Sequence, residues 1–238
     1  MTIGFYDDEP DVKLPHPPIP LAAFLIVENA ICAAWQLLLT KPRPGFDLLT
    51  EKEDVVTQEL HEVVFNRIFN EGIVEGFDRQ LFTILVREPK LRNYDYSILD
   101  KMPDLLIALV DRPAGIINSQ YGIFMECKPV DATHTVGKHY CNKGLIRFVN
   151  GDYAWAMTSA LMIGYVRKGY TILPKLVDAL KRSATIKTIK EPYICSRSRP
   201  GPKNEVVHIS KHARTFTYQN GSQHPGPITI RHLWLSRD

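Results

Sequence analysis

Two apolar runs, Pro103-Asp104-Leu105-Leu106-Ile107-Ala108-Leu109 and Gly122-Ile123-Phe124-Met125-Glu126-Cys127-Lys128-Pro129-Val130, constrain what this chain can fold into more than any other feature. Their length and composition read as buried strands. Yet Asp104 sits in the first, and Glu126 and Lys128 in the second. An unpaired charge among Leu, Ile, Phe and Met is strongly unfavourable, so these groups must compensate one another or a bound ion.

Alternate residues of an extended chain share a face, so Glu126 and Lys128 project to one side and Cys127 to the other. The turn-rich stretch Asp111-Arg112-Pro113-Ala114-Gly115 lets the two strands fold antiparallel and brings Asp104 toward Glu126. Two carboxylates converging on a divalent cation, with an ammonium nearby, suit metal-assisted phosphodiester hydrolysis. The spacing Glu-x-Lys alone means little, because Glu88-Pro89-Lys90 has it too. That second copy has proline at its centre and lies in the polar stretch from Arg87 to Tyr94, which reads as a loop.

Pro103-Asp104, a hairpin and Glu126-x-Lys128 together resemble the signature of the PD-(D/E)XK nuclease superfamily, the restriction-endonuclease-like fold. The resemblance covers roughly residues 50–170. It implies an α/β (α+β) core: a helix, an antiparallel three-stranded meander, a second helix and a further strand. It also implies Mg²⁺, with Mn²⁺ able to substitute, held by Asp104, Glu126 and the backbone carbonyl of Cys127, with Lys128 orienting or deprotonating the attacking water. Members often carry a glutamate on the preceding helix as a further ligand.

The flanking segments fit that order. Thr50-Glu51-Lys52-Glu53 has capping-box spacing, and Val56, Leu60, Val63, Val64 and Ile68 recur at helical period, predicting an amphipathic helix over 51–69. Glu53 falls on the apolar stripe and is the first choice for the helix glutamate; Glu59 flanks the stripe and is second, whereas Glu62 points away. A plain capping role is the alternative for Glu53. Residues 81–86 predict the first strand, 134–150 a helix, and 154–166 a buried helix or strand that periodicity cannot distinguish. Three segments are expected: an N-terminal arm and apolar helix (1–49), the core (50–170) and a basic, β-rich extension (171–238) packed on the same domain.

Leu21 to Leu39 is 19 largely apolar residues, near membrane-spanning length. It contains Glu28, Asn29 and Gln36, and the segment before it is acidic and proline-rich, unlike a signal peptide. It reads better as a buried or interface helix, a candidate for homodimer formation. Cys32, Cys127, Cys141 and Cys195 form no C-x-x-C pair, so neither a disulfide framework nor a zinc ribbon is expected and a reducing cytoplasm fits.

Charge is polarised. Residues 1–131 carry 12 Lys+Arg against 21 Asp+Glu, and residues 132–238 carry 17 against 5. A basic half beginning just past Lys128 suits a binder of DNA phosphates. Candidate contacts are Lys138, Lys143 and Arg147 on the second helix, Arg197, Arg199 and Lys203 in a turn-rich loop, and His212 and Arg214. The segment from Lys181 to Lys190 reads as a helix end and exposed loop, and 206–214 and 228–235 as strands of a terminal sheet with Ser210, His212 and Arg214 on one face. A zinc site from His208 and His212 is disfavoured, since i, i+4 on a strand lie about 13 Å apart. By analogy, a small stand-alone nuclease would serve a bacterial or phage defence or restriction system, alone or with a protein partner. The alternatives are a nuclease fold that binds nucleic acid without cutting it, and a structural or assembly protein in which the charges form a buried ion-pair network.

Overall fold

The computed structural model describes residues 12–167, 170–196, 206–218 and 224–238. It is a mixed α/β fold built on one seven-stranded sheet with the spatial order β1-β2-β3-β4-β7-β6-β5. The strands are β1 (Phe82–Arg87), β2 (Leu105–Leu109), β3 (Ile123–Val130), β4 (Ser159–Val166), β5 (Thr188–Ile194), β6 (His208–His212) and β7 (Ile228–Ser236). The first three form an antiparallel meander; β4 and β7 then follow β3 in parallel, and β6 and β5 complete the sheet antiparallel.

Helix α1 (Leu21–Thr40) lies on one face of the sheet. Its Trp35 ring stacks on Tyr165 of β4 at 5.2 Å, and the indole N–H donates to the Ser236 carbonyl at 2.6 Å. Its Glu28 carboxylate receives Arg231 of β7 at 2.5 and 3.0 Å. The helix is long and apolar enough to cross a membrane, but 56% of its most apolar window is buried inside the fold. Its apolarity is thus largely accounted for by packing within the chain.

Helix α2 (Glu53–Val63) runs on into a π-helical stretch (Val64–Phe69), and buries Val56, Leu60, Val64 and Ile68 as an i, i+4 ridge. It starts two residues later than the spacing predicts. The capping box does not form: the Thr50 hydroxyl donates to Asp47 at 2.9 Å, and Lys52 at the cap position makes no side-chain bond. Glu53 therefore lies in the first turn, free to point elsewhere.

On the opposite face, the expected helix over 134–150 is present as a π-helical segment (Val136–Leu145) continuous with α3 (Ile146–Asn150). Gly151, with φ of 76°, ends it as a left-handed cap. Tyr140 from this helix meets the His232 and Trp234 rings of β7 at 5.8 and 5.5 Å. The undecided segment 154–166 is a turn followed by strand β4, which runs parallel to β3 from Leu161 opposite Met125 to Val166 opposite Val130.

The C-terminal strands do not form a sheet of their own. β7 lies inside the main sheet, between β4 and β6. Its Arg231 and His232, on opposite faces of the sheet, are both buried, Arg231 against Glu28 and His232 against Tyr140 and Ser210. The helix end and loop expected over 181–190 are present, with helix α4 (Ile172–Lys181) ending at Lys181 and a largely exposed loop over 182–187, but the last three residues already belong to edge strand β5. Lys190, Glu191 and Pro192 on β5 are residues that discourage further strand pairing at an edge.

Candidate active site

β2 pairs with β3 only from Leu105 opposite Met125 to Ile107 opposite Ile123, so β3 runs on past the start of its neighbour. Asp104 takes the place of the missing strand: its Oδ2 accepts the Cys127 backbone N–H at 2.6 Å. Pro129 occupies the next position of the same orientation, where no N–H is needed. Beyond Met125, that side of β3 is open to side chains rather than to a ladder.

Lys128 fills the opening. Its ammonium donates to Glu53 Oε1 at 2.6 Å and to the Cys127 carbonyl at 2.7 Å, and lies 3.0 Å from Glu126 Oε1 and 3.5 Å from Asp104 Oδ2. Three carboxylates from α2, β2 and β3 thus surround one cation. Glu126 has no exposure at all; its Oε1 also receives Arg147 Nη1 at 3.1 Å, and its Oε2 receives the Tyr153 hydroxyl. Gly144 of the π-helical segment closes the floor, and a Cβ there would lie 3.1 Å from Lys128 Cγ and 2.8 Å from Met162 Cε. A side chain at this position would have to displace both neighbours.

Burial first, and then the Asp104 charge, raise the Glu126 carboxyl to about 7, with Lys128, Arg147 and Tyr153 offsetting only part of the rise. Glu53 is also raised, mainly by burial, against the pull of Lys128. For Lys128, burial alone lowers the ammonium, but Glu126, Asp104 and Glu53 outweigh it and hold it well above its usual range. Negative charge is in excess: three acids face the two bases Lys128 and Arg147.

The donors present are hard oxygens, the chemistry Mg²⁺ prefers. Among the described residues, no group of three or more His, Cys, Asp or Glu side chains is arranged to hold a metal ion. The carboxylates are instead drawn onto the ammonium. The residues match such a cation in donor type and in charge.

Of the residues expected to join this cluster, Asp104, Glu126, Lys128 and Glu53 are brought together and Glu59 is not. Glu59 pairs with Arg43 at 2.5 Å instead, on a separate surface hollow lined also by Gln58 and Arg87. Glu88 and Lys90 are exposed and stay outside the cluster, with Glu88 against Arg87 at 2.8 Å. Arg147, expected to contact DNA, turns inward to Glu126. Lys138 and Lys143 are exposed on the π-helical segment. Arg197, Arg199 and Lys203 lie outside the described residues.

His212 and Arg214 are not surface contacts. Arg214, 3% exposed, donates to the carbonyls of Trp155, Pro225 and Gly226 and so ties three loop segments together. His212 is fully buried in a chain of hydrogen bonds: its Nε2 lies 2.6 Å from Ser210 Oγ, which lies 2.7 Å from His232 Nε2, whose Nδ1 lies 2.9 Å from the Tyr140 hydroxyl. Ser210 has one hydroxyl proton, so at most one of the two rings accepts from it and at least one must donate its Nε2–H to the oxygen.

Tyr153 is the site residue that the sequence reading missed. Its signal is the helix stop at Gly151, which reverses the chain after Arg147 and returns residue 153 to the same carboxylate. No protein-family model, no curated protein and no solved structure matches this chain.

Proposed function

We propose that the chain is a metal-dependent deoxyribonuclease of the PD-(D/E)XK type. The observation that carries this reading is the convergence of Glu53, Asp104 and Glu126 on the Lys128 ammonium, at distances of 2.6 to 3.5 Å. The element order α2, antiparallel β1-β2-β3, α3 and parallel β4 supports it, since it follows the order the motif resemblance implies.

Mg²⁺ bound by Asp104, Glu126 and the Cys127 carbonyl would polarise the scissile phosphate and make a bound water more acidic. Lys128, kept charged by its three acids, orients that water and offsets charge on the phosphate rather than acting as a base. Glu53 is the most open of the three carboxylates, with its side chain 26% exposed, and stands where it can take up the water's proton. Tyr153 and Arg147 hold Glu126 in one orientation. The exposed Lys138 and Lys143 offer phosphate contacts beside the cluster.

The test is incubation of the protein with linear and circular DNA in Mg²⁺, Mn²⁺ or EDTA, where cleavage is expected only with a divalent cation. One observation favours a second reading: every carboxylate of the cluster already has a protein partner, as in a buried ion-pair network. Under that reading, Lys128→Met with Glu126→Leu preserves or raises stability and removes no activity, because buried pairs are often replaceable by apolar groups.

A further inference from the structure

A half-open cavity of about 760 Å³ is lined by residues of the loop from Lys90 to Tyr96, by Ser119 and Gln120 of the turn Asn118–Gln120, and by Trp155. The chain from Gly151 to Trp155 joins it to the carboxylate cluster. Tyr153 donates to Glu126, and two residues later the Trp155 indole N–H donates to the Arg92 carbonyl at 3.0 Å. A cavity of this size accommodates a drug-sized or nucleotide-sized molecule.

Three features mark the wall. Gln120 is 2% exposed and lines the cavity, yet its Oε1 is buried without any hydrogen-bond partner, while its Nε2 reaches the Arg92 carbonyl only at 3.5 Å. A buried acceptor left unpaired is unfavourable, and a ligand N–H would relieve it. Tyr96 is 39% exposed and sits at φ of 58°, a left-handed conformation that a tyrosine adopts at a cost. That backbone holds the ring at the cavity mouth, edge-on to Trp155 at 6.0 Å, with the Arg92 guanidinium 5.5 Å from its centre. Arg92 and Lys90 are both exposed and bring positive charge to the rim.

A flat ring, an unpaired acceptor and two cations at one mouth match a planar nitrogen heterocycle that carries N–H groups and is tethered to phosphate. We propose that this cavity binds one unpaired nucleobase, stacked on Tyr96 and donating to Gln120 Oε1, with its phosphate on Arg92 and Lys90. The inference rests on the nuclease reading for its substrate and deepens it: the strand cut at the cluster would present a single-stranded base to the neighbouring pocket. No preference among the bases follows, because each carries an N–H donor.

The test is binding in EDTA, which needs no cleavage. The full-length protein is titrated with the four deoxynucleoside monophosphates and with a short single-stranded oligodeoxynucleotide. Saturable binding is expected, weakened about tenfold by Tyr96→Gly through loss of stacking and retained by Tyr96→Phe. Glycine tolerates the left-handed backbone, so Tyr96→Gly should melt no lower than the wild type. Arg92→Gln should weaken nucleotides but not the corresponding nucleosides. Oligonucleotide binding tighter than any mononucleotide identifies a DNA strand as the ligand, and equal affinity identifies the free nucleotide. Absence of saturable binding by the wild type, or wild-type affinity in both Tyr96→Gly and Gln120→Leu, overturns the proposal. DNA cleavage in Mg²⁺ without base binding removes the pocket alone, whereas base binding without cleavage removes the nuclease reading and leaves the pocket.

Discussion

Glu53 and Lys128, 75 residues apart in the chain, meet at 2.6 Å between Oε1 and Nζ. This contact ties the first turn of α2 to the open side of β3 and sets the third acid of the cluster in place. Glu53→Gln should therefore cut DNA cleavage by at least about 100-fold and raise the Mg²⁺ concentration needed for half-maximal activity. Glu59→Gln, which breaks only a pair with a half-exposed arginine, should change cleavage little and stability by less than about 1 kcal/mol. Metal titrations of the two variants check this, and equal effects would refute the assignment of Glu53.

Glu126 supplies a pH dependence. Its carboxyl is raised from 4.5 to about 7 in the fold, so between these values the folded state holds a proton that the unfolded chain has lost, and its contribution to stability falls as pH rises. Mg²⁺ needs the carboxylate. The rise in Tm on adding Mg²⁺ should grow from pH 6 to pH 8, corresponding to about 2.7 kcal/mol when the cation is at 100 times its Kd, and should vanish in Glu126→Ala. Thermal melts at the two pH values read it directly; an Mg²⁺ shift of the same size at both would contradict the account.

The buried pair Glu28–Arg231 holds α1 on β7. Removing one partner leaves the other charged inside the fold, since Arg231 is only 4% exposed and its further contacts, Cys195 Sγ at 3.7 Å and the Phe24 ring at 5.4 Å, supply no carboxylate charge. Glu28→Leu or Arg231→Met alone should each cost roughly 3–5 kcal/mol, and the double variant markedly less than the sum. Urea denaturation of the four proteins of the cycle measures this coupling.

Acid should loosen the histidine chain. Burial pulls His212 down from 6.5 to about 4, and pulls His232 well below its usual value, with His212 and His208 adding to the effect. The stability these neutral rings contribute is complete above about pH 6.5 and is lost as pH falls toward 4, about 3 kcal/mol for His212 alone. The difference in unfolding free energy between wild type and His212→Gln should therefore shrink as pH drops from 7 to 4. A constant difference would show that His212 keeps its ordinary protonation.

The sequence revealed most where a residue type conflicts with its surroundings. Asp104, Glu126 and Lys128 stand out because charge is expensive in apolar strands, and their meeting follows from strand alternation and one antiparallel hairpin. Glu53 was legible from its place on the apolar stripe, though through a capping box that does not form. The partners of Arg231 and His232 were not legible, because alternation cannot tell a solvent-facing residue from one buried against a group far away in the chain, here Glu28 and Tyr140. The same ambiguity hid β7 inside the sheet. Arg147 and Tyr153 were illegible as supports of Glu126, because the turn at Gly151 sets their direction only once α3 is packed on β3.

The most direct measurement is the rate of DNA cleavage by wild type, Asp104→Ala, Glu126→Ala and Lys128→Ala in Mg²⁺ and in EDTA, with folding of each variant verified by its melting curve. The account predicts cleavage by the wild type only with a divalent cation, and a loss of at least about 1,000-fold in each single variant, with the triple variant little worse than any one of them. Wild-type cleavage by Lys128→Ala, or no cleavage of any DNA by the wild type in Mg²⁺ or Mn²⁺, would contradict it.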